Sequence, residues 1–463
     1  MEPHPLVTLF GEDFQRATRQ CVSCNLCRGF CPVFPALYDL LGREQKEGQV
    51  RPATEYRAVL DQCWLCGRCE LRCPGNLQFS RRVMHAKAHL VAEQGLSVAD
   101  RVLSHPQAVG QWGTSLAPLS NRLPTLGIVR AVLERVADLD HRASWPAFAH
   151  TPFRRQVARR VWGGERGAES AERKTTQHAA RSTQHATRTS EHETQNPRRR
   201  VAYFVGCHTD FYDPTVGEAA VAVLAQNDVD VIVPPYRCCG MPQLAVGDEA
   251  GAAENARVNI ASWSRLVANG YNVVTTCSTC ALMLRQMYAE LWPSEESRLL
   301  AAHSHDLFSY LARLPDRGSG VGGRGPGSGE RAVAQHATRS TQPGAGNAIL
   351  ETQDPKLNVL YHYPCHARHQ RYGYQVIDVL RQIPGLAVEF APAACCGQGG
   401  SRGFRAEAHD RSLEQGAELL EHLTERAPDL VVTDCPMCEH RIATASGLAV
   451  CHPVELLGAA YDG

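Results

Sequence analysis

The segment CVSCNLCRGFC (21–31), with Pro32 behind it, sets four cysteines within eleven residues. CWLCGRCELRC (63–73), followed by Pro74, repeats the spacing. Two-residue loops between cysteines let three thiolates turn inward on one compact centre. The fourth cysteine of each run, three residues further on and followed by proline, points away from that centre. Nineteen cysteines stand in a chain of 463 residues. The N-terminal MEPHPLVTLFGEDF has early acidic residues and no apolar run behind a basic one, so it does not read as a secretory signal. No stretch approaches the ~18 consecutive apolar residues that span a bilayer. The expected location is cytoplasmic, or peripheral on the inner face of the cytoplasmic membrane. Thiols stay reduced there, so cysteines this numerous and clustered point to metal rather than to disulfide staples.

Structural zinc takes four ligands, usually as two CxxC pairs. Two CxxCxxCxxxCP runs exceed that need, and the pattern is that of bacterial two-cluster ferredoxins, in which the fourth cysteine of each run ligates the other cluster. One 4Fe–4S cubane is therefore assigned to Cys21, Cys24, Cys27 and Cys73, and the second to Cys63, Cys66, Cys69 and Cys31. Cross-ligation explains why the motif occurs twice. Two adjacent cubanes with no substrate pocket in their motif serve the passage of single electrons.

Beyond residue 200 the chain repeats itself. VAYFVGCH (201–208), CCG (238–240) and NVVTTCSTC (272–280) are matched by NVLYHYPCH (358–366), CCG (395–397) and DLVVTDCPMC (429–438), with equivalent cysteines 157 or 158 residues apart. In each half short β-branched runs alternate with helical patterns, which argues α/β units around a small parallel sheet. In five of six cases the cysteines fall just past a strand-like run, where open α/β sheets gather ligands.

Two polar stretches, about 163–200 and 316–356, are poor in aromatics and rich in Gly, Arg, Thr, Gln and His, too poor in apolar surface to offset ordering entropy. They share the octets QHAARSTQ (177–184) and QHATRSTQ (335–342) and read as flexible linker rather than as a shared binding tag. Gly318, Gly320 and Gly323 satisfy G-x-G-x-x-G, but in low-complexity sequence rather than between a strand and a helix, so the dinucleotide reading is rejected. No other segment offers a flavin or nicotinamide site.

The expected fold is α+β and multidomain. It comprises a helical ferredoxin-type domain with two 4Fe–4S clusters (1–100), a helical connecting region (101–162), a linker (163–200), a first α/β CCG domain (201–315), a Gly/Arg-rich linker (316–356) and a second CCG domain (357–463), each CCG domain with a small parallel sheet. Hydrophobic residues make up 43% of the chain, enough for packed cores outside the linkers. Lys plus Arg equals Asp plus Glu at 48 each, which offers no electrostatic reason to expect a nucleic-acid partner.

Ten cysteines belong to the repeated halves: Cys207, Cys238, Cys239, Cys277 and Cys280, then Cys365, Cys395, Cys396, Cys435 and Cys438. Adjacent cysteines in an extended chain project to opposite sides, suiting two irons of a larger cluster better than one tetrahedral ion. Five thiolates exceed the four of a simple cubane. A further, non-cubane 4Fe–4S cluster per CCG domain is expected; zinc in one of them and a redox-cycling vicinal disulfide are the alternatives. His208 and His366, each following the first cysteine of its set, either hydrogen-bond cluster sulfur or fill the strand end. Cys451 has no counterpart and reads as a buried structural thiol.

Two ferredoxin runs followed by two CCG repeats resemble the iron–sulfur subunits of one superfamily, which includes the C subunits of anaerobic glycerol-3-phosphate dehydrogenases, the iron–sulfur subunit of glycolate oxidase and the catalytic subunit of heterodisulfide reductase. RVLSHPQAVGQWGTSLAP (101–118), LDHRASWPAFAHTPFRR (139–155), CCGQGGSRGFRAE (395–407) and the ending from Asp429 look like the glycerol-3-phosphate dehydrogenase subunits. The two polar inserts depart from that family. The resemblance implies an electron wire. A separate FAD-containing subunit oxidises glycerol 3-phosphate, and this chain passes electrons singly to membrane quinone, with menaquinone expected. No catalytic residue is assigned to this chain. Lactate, glycolate and succinate complexes use similar subunits. A disulfide reductase acting through a CCG cluster, or a zinc-stabilised binding protein, are the rival classes. Leu126, Val129, Val132, Leu133 and Val136 fall at helical spacing in 123–139 and are expected to pack a core rather than face a membrane.

Overall fold

The computed structural model describes residues 26–27, 31–49, 51–75, 77–162, 199–314 and 356–462. Cys21, Cys24, both repeated octets and the G-x-G-x-x-G sequence lie outside them. Arg199 and Arg200, expected in the first linker, instead open strand β1 (Arg199–Tyr203).

The N-terminal region is helical. Val33, Phe34, Leu37 and Leu40 recur at helical spacing, and the helix Val33–Glu47 buries them against Tyr56, Leu60, Phe79 and Val83. The rings of Phe34 and Phe79 lie 4.1 Å apart. Gly48 ends that helix in the left-handed conformation, with its N–H donating to the Glu44 carbonyl. Helices Ala53–Leu60 and Phe79–Gln94 complete the core, and the short helix Arg68–Arg72 carries the middle of the second cysteine run.

The connecting region adds the helices Val98–Leu103, Pro106–Ser115, Ala117–Arg122, Gly127–Ala137 and Phe153–Trp162. Buried Arg405 binds this region to the second CCG domain through Asp100 (2.6 Å) and Asp138 (2.7 Å). The expectation for 123–139 is corrected: no residue of Gly127–Ala137 is buried, and Ile128 is 82% exposed. Periodicity shows that a helix has an apolar face, not that anything covers it. This helix is held at its ends, where Arg130 donates to the Pro124 and His141 carbonyls (2.6 and 2.7 Å).

Each repeated half is a four-stranded, wholly parallel sheet with helical crossovers. The first has the order β2-β1-β3-β4, from β1, β2 (Val229–Ile232), β3 (Asn272–Thr275) and β4 (Ser304–Asp306). The second has the matching order β6-β5-β7-β8, from β5 (Leu357–Tyr361), β6 (Leu386–Phe390), β7 (Leu430–Val432) and β8 (Val450–Cys451). The central strands, β3 and β7, are almost wholly buried, as strands of a parallel sheet covered on both faces are. The halves clasp each other reciprocally. Helix Leu307–Leu311, after the last strand of the first half, packs on Gly373–Leu380 of the second, and Pro453–Asp462 packs on Pro214–Gln226. One apolar core therefore runs through both sheets, from Val201 and Trp263 to Val359 and Val454.

Cys451 is fully buried in β8 opposite Val432. Cys451→Ala should leave the visible iron–sulfur spectrum unchanged and cost about 1 kcal/mol, a few degrees in Tm. Loss of spectral intensity in that variant would show a metal-binding role instead.

Candidate functional site

Cysteines gather at three places. In the ferredoxin region Cys31, Cys63, Cys66 and Cys69 come together. Burial pushes the Cys31 thiol up to about 12, and Cys63 and Cys66 push it further the same way. Cys69 is raised by burial and then by Cys66, Cys63 and Cys31. The tight loop between Cys63 and Cys69 depends on left-handed backbone at Leu65 and Gly67. Cys27 and Cys73 line a small cavity with Phe34, Leu77 and Phe79. Their expected companions, Cys21 and Cys24, lie outside the described residues.

In the first CCG domain the cysteines follow the carboxyl ends of β1, β2 and β3 and form one connected set. The Cys238 thiol hydrogen-bonds both Cys207 and Cys239, and Cys280 bonds both Cys239 and Cys277. In the second domain Cys396 bonds Cys395 and Cys438, with the two sulfurs of the latter pair 3.1 Å apart; Cys435 meets Cys438, and Cys365 lies beside Cys396 and Cys435. The expectation that the paired cysteines project to opposite sides is thus corrected. The chain turns at Gly240 into the helix Met241–Val246 instead of running on as a strand, and both thiols face one centre. The glycine of each CCG is fixed by this turn, with φ of 95° at Gly240 and 85° at Gly397.

Burial and neighbouring sulfurs both hold the Cys365 thiol against ionisation. Positive charge from metal is what would let so many thiolates share such a space. The donor sets therefore fit iron–sulfur clusters at the residues present.

Neither histidine of the repeated motif lies as a simple donor to sulfur. His208 stacks on Tyr212 at 5.4 Å, and burial lowers its pKa to about 3. His366 bridges domains, with Nδ1 2.8 Å from Thr279 Oγ1 and Nε2 3.3 Å from the Leu65 carbonyl. A carbonyl only accepts, so Nε2 carries the proton and Nδ1 accepts from the Thr279 hydroxyl.

The three places are neighbours. Cys66 is close enough to raise both Cys365 and Cys395. Arg68 donates to the Ala393 carbonyl at 3.2 Å, and a Cβ on Gly399 would fall 2.5 Å from the Trp64 ring. The second ferredoxin loop is thus seated on the second CCG site. The two CCG sites meet where the Ser278 N–H donates to the Asp434 carbonyl (3.1 Å), beside Cys277 and Cys435. The Asp434 carboxyl accepts from Tyr361 (3.0 Å) and Tyr372 (2.5 Å), and burial raises its pKa to about 7.

Sequence reasoning passed over His362, Arg368, Lys87 and Asp434. Lys87 is buried and donates to the Cys63 and Ala245 carbonyls (2.8 and 2.9 Å). His362 lies with Cys396 and Cys438 as a group of possible metal ligands. Position-by-position comparison of the halves would have raised His362 and Arg368, which replace Phe204 and Asp210; Lys87 has no sequence signal.

The cysteine-rich CCG domain family matches residues 201–285 and 359–443. The chain is 28% identical to the C subunit of the anaerobic glycerol-3-phosphate dehydrogenase of Escherichia coli over 95% of its own length and 98% of that protein. It is 27% identical to the B subunit of the CoM/CoB fumarate reductase of Methanothermobacter marburgensis over 58% of its length and 48% of that chain. It is 21% identical to a lactate utilization protein A 2 of Bacillus cereus, over 50% of its length and 85% of that protein.

The two CCG glycines should differ in sensitivity. A Cβ at Gly397 would fall 2.1 Å from the Ser412 carbonyl oxygen, whereas at Gly240 the nearest atom is 3.3 Å away. Gly240→Ala should cost about 1–2 kcal/mol, the strain of positive φ alone. Gly397→Ala should cost visibly more, because backbone must move. Equal denaturant midpoints for the two variants would contradict this packing.

Proposed function

We propose that this chain, a relative along nearly its whole length of an anaerobic glycerol-3-phosphate dehydrogenase component, is the iron–sulfur electron-transfer subunit of a quinone-linked flavin dehydrogenase, with glycerol 3-phosphate the substrate of the complex. Its CCG domains and its relatives make it an iron–sulfur protein of an oxidoreductase system. The observation that carries the wire reading is the contiguity of the thiol sets: Cys66 beside Cys365 and Cys395, and Cys277 beside the Asp434–Cys435 corner. Two cubanes at the ferredoxin cysteines and one non-cubane 4Fe–4S cluster per CCG domain would supply one-electron centres along that line.

This chain's own residues do the rest. The ferredoxin cysteines Cys21, Cys24, Cys27 and Cys73, and Cys31, Cys63, Cys66 and Cys69, hold the first pair of centres. The second CCG set is the junction, meeting the ferredoxin loop on one side and the first CCG set on the other. The tyrosine-held Asp434 and the His366 bridge keep those separations short and exclude water. The FAD belongs to a partner protein of the complex.

Contact with membrane quinone is supported by the connecting region. No helix among the described residues is long and apolar enough to cross a membrane. Yet Trp112, Leu116, Leu119, Ile128, Val132 and Val136 are all exposed on consecutive helices, the composition of a surface that lies on a bilayer rather than through it.

The rival reading is a disulfide reductase that acts through a CCG cluster. Against it, Cys238, Cys239, Cys280, Cys396, Cys435 and Cys438 are all buried, which leaves a bulky disulfide little approach. Failure of a heterodisulfide to oxidise the reduced chain would exclude that chemistry.

In the assembled complex, Cys66→Ser should lower quinone reduction by at least about tenfold while the flavin protein still reduces an artificial dye. Quinone reduction at the wild-type rate in that variant would refute the wire.

A further inference from the structure

The two CCG sites repeat each other in thiols but not in what surrounds them. Three residues before the first cysteine of each set, the residue just past the strand is Phe204 in the first domain and His362 in the second. Phe204 packs its ring 5.1 Å from both Tyr236 and Trp263, an apolar cage with no donor to offer. His362 is 1% exposed. One of its ring nitrogens lies within 4.8 Å of the Cys396 and Cys438 sulfurs, which are within that distance of each other. Its Nδ1 is buried without a hydrogen-bond partner, and the ring also hydrogen-bonds the Cys396 thiol, which places it against the sulfurs. Leaving such an atom unpaired costs on the order of 1–3 kcal/mol, a penalty that ligation would remove.

We propose that His362 is an imidazole ligand of the metal centre in the second CCG domain, so that this centre is a mixed thiolate–imidazole site while the first is thiolate-only. The proposal rests on the reading that the second domain holds an iron–sulfur cluster. Imidazole is neutral where thiolate is anionic, so His362 adds a ligand without adding negative charge, the direction in which imidazole-ligated clusters gain potential. The surroundings push in the same direction. Half-buried Arg368 lies near Cys365, Cys395 and Cys438, and buried Arg441 near Cys396 and Cys395. The first domain has Asp210 and Met283 at the matching positions, with Asp210 paired to Arg154 at 2.6 Å. The second site is therefore the one that accepts an electron more readily, and it is also the one against which the ferredoxin loop is seated.

The test is pulsed electron paramagnetic resonance on the reduced holoprotein, prepared with natural and with 15N-labelled histidine, alongside a His362→Phe variant that copies the first site. The expected result is a strongly coupled nitrogen in one cluster signal, whose frequency changes with the label. In His362→Phe that coupling should vanish and the midpoint potential of the same signal should fall, with iron per chain unchanged. A second-site cluster with no labelled-nitrogen coupling in the wild type, or with coupling and midpoint unaltered in the variant, overturns the ligand and leaves the wire standing. Zinc in place of iron at the second site, shown by metal analysis of the wild type and by retention of all cluster signals in Cys396→Ser, overturns both. The labelled wild type decides the matter even where the variant does not fold.

Discussion

His366 touches three parts of the molecule at once. It stands on the first helix of the second CCG domain, accepts from Thr279 of the first, and donates to the carbonyl of Leu65 in the ferredoxin loop. With both ring nitrogens engaged, its position fixes how close the second ferredoxin cysteines come to the second CCG set. Around it the contacts are of the same kind, tying loop to turn. Arg68 reaches the Ala393 carbonyl, Arg402 pairs with Asp61 at 2.8 Å, and Lys87 links the carbonyls of Cys63 and Ala245. Removing one partner from a buried pair strands the other, so these contacts hold the domains in one register more than they add net stability.

That register gives the repeated fold its use. A parallel sheet of order 2-1-3-4 gathers the loops after its first three strands at one edge. Each CCG domain spends those loops on five cysteines, and the reciprocal clasp of the last helices brings the two edges together at Asp434 and Ser278. The same tyrosine is kept at the strand end of both halves with different partners: Tyr203 meets Thr276 at 2.9 Å, and Tyr361 donates to Asp434 at 3.0 Å. Substituting a carboxyl for a hydroxyl at that corner changes charge without changing the scaffold. Phe204 and His362, and Asp210 and Arg368, follow the same logic.

What could be read from the sequence was what covalent spacing dictates. Cysteine runs, the internal period and strand-helix alternation are all local patterns, and they led to the ferredoxin-like region and the two α/β halves. Contacts between distant segments left no such trace. Nothing in CWLCGRC says that it rests on the turn after β6, and nothing around Lys87 marks it as buried beneath that loop. The paired cysteines were misjudged because the two-sided projection assumed extended backbone, which the glycine bend removes. The helix Gly127–Ala137 was misjudged because an apolar stripe is equally consistent with a core and with an uncovered surface. His362 was legible only by setting one half against the other at every position, not just at the cysteines.

The central claim is that all eighteen motif cysteines serve redox clusters, so that the chain is one continuous relay. It is tested most directly by iron, acid-labile sulfide and zinc per chain after strictly anaerobic purification. The account predicts about sixteen irons and as many sulfides, with no zinc. About eight irons with one or two zincs would contradict it, confining electron transfer to the ferredoxin region and leaving the CCG domains with a structural role.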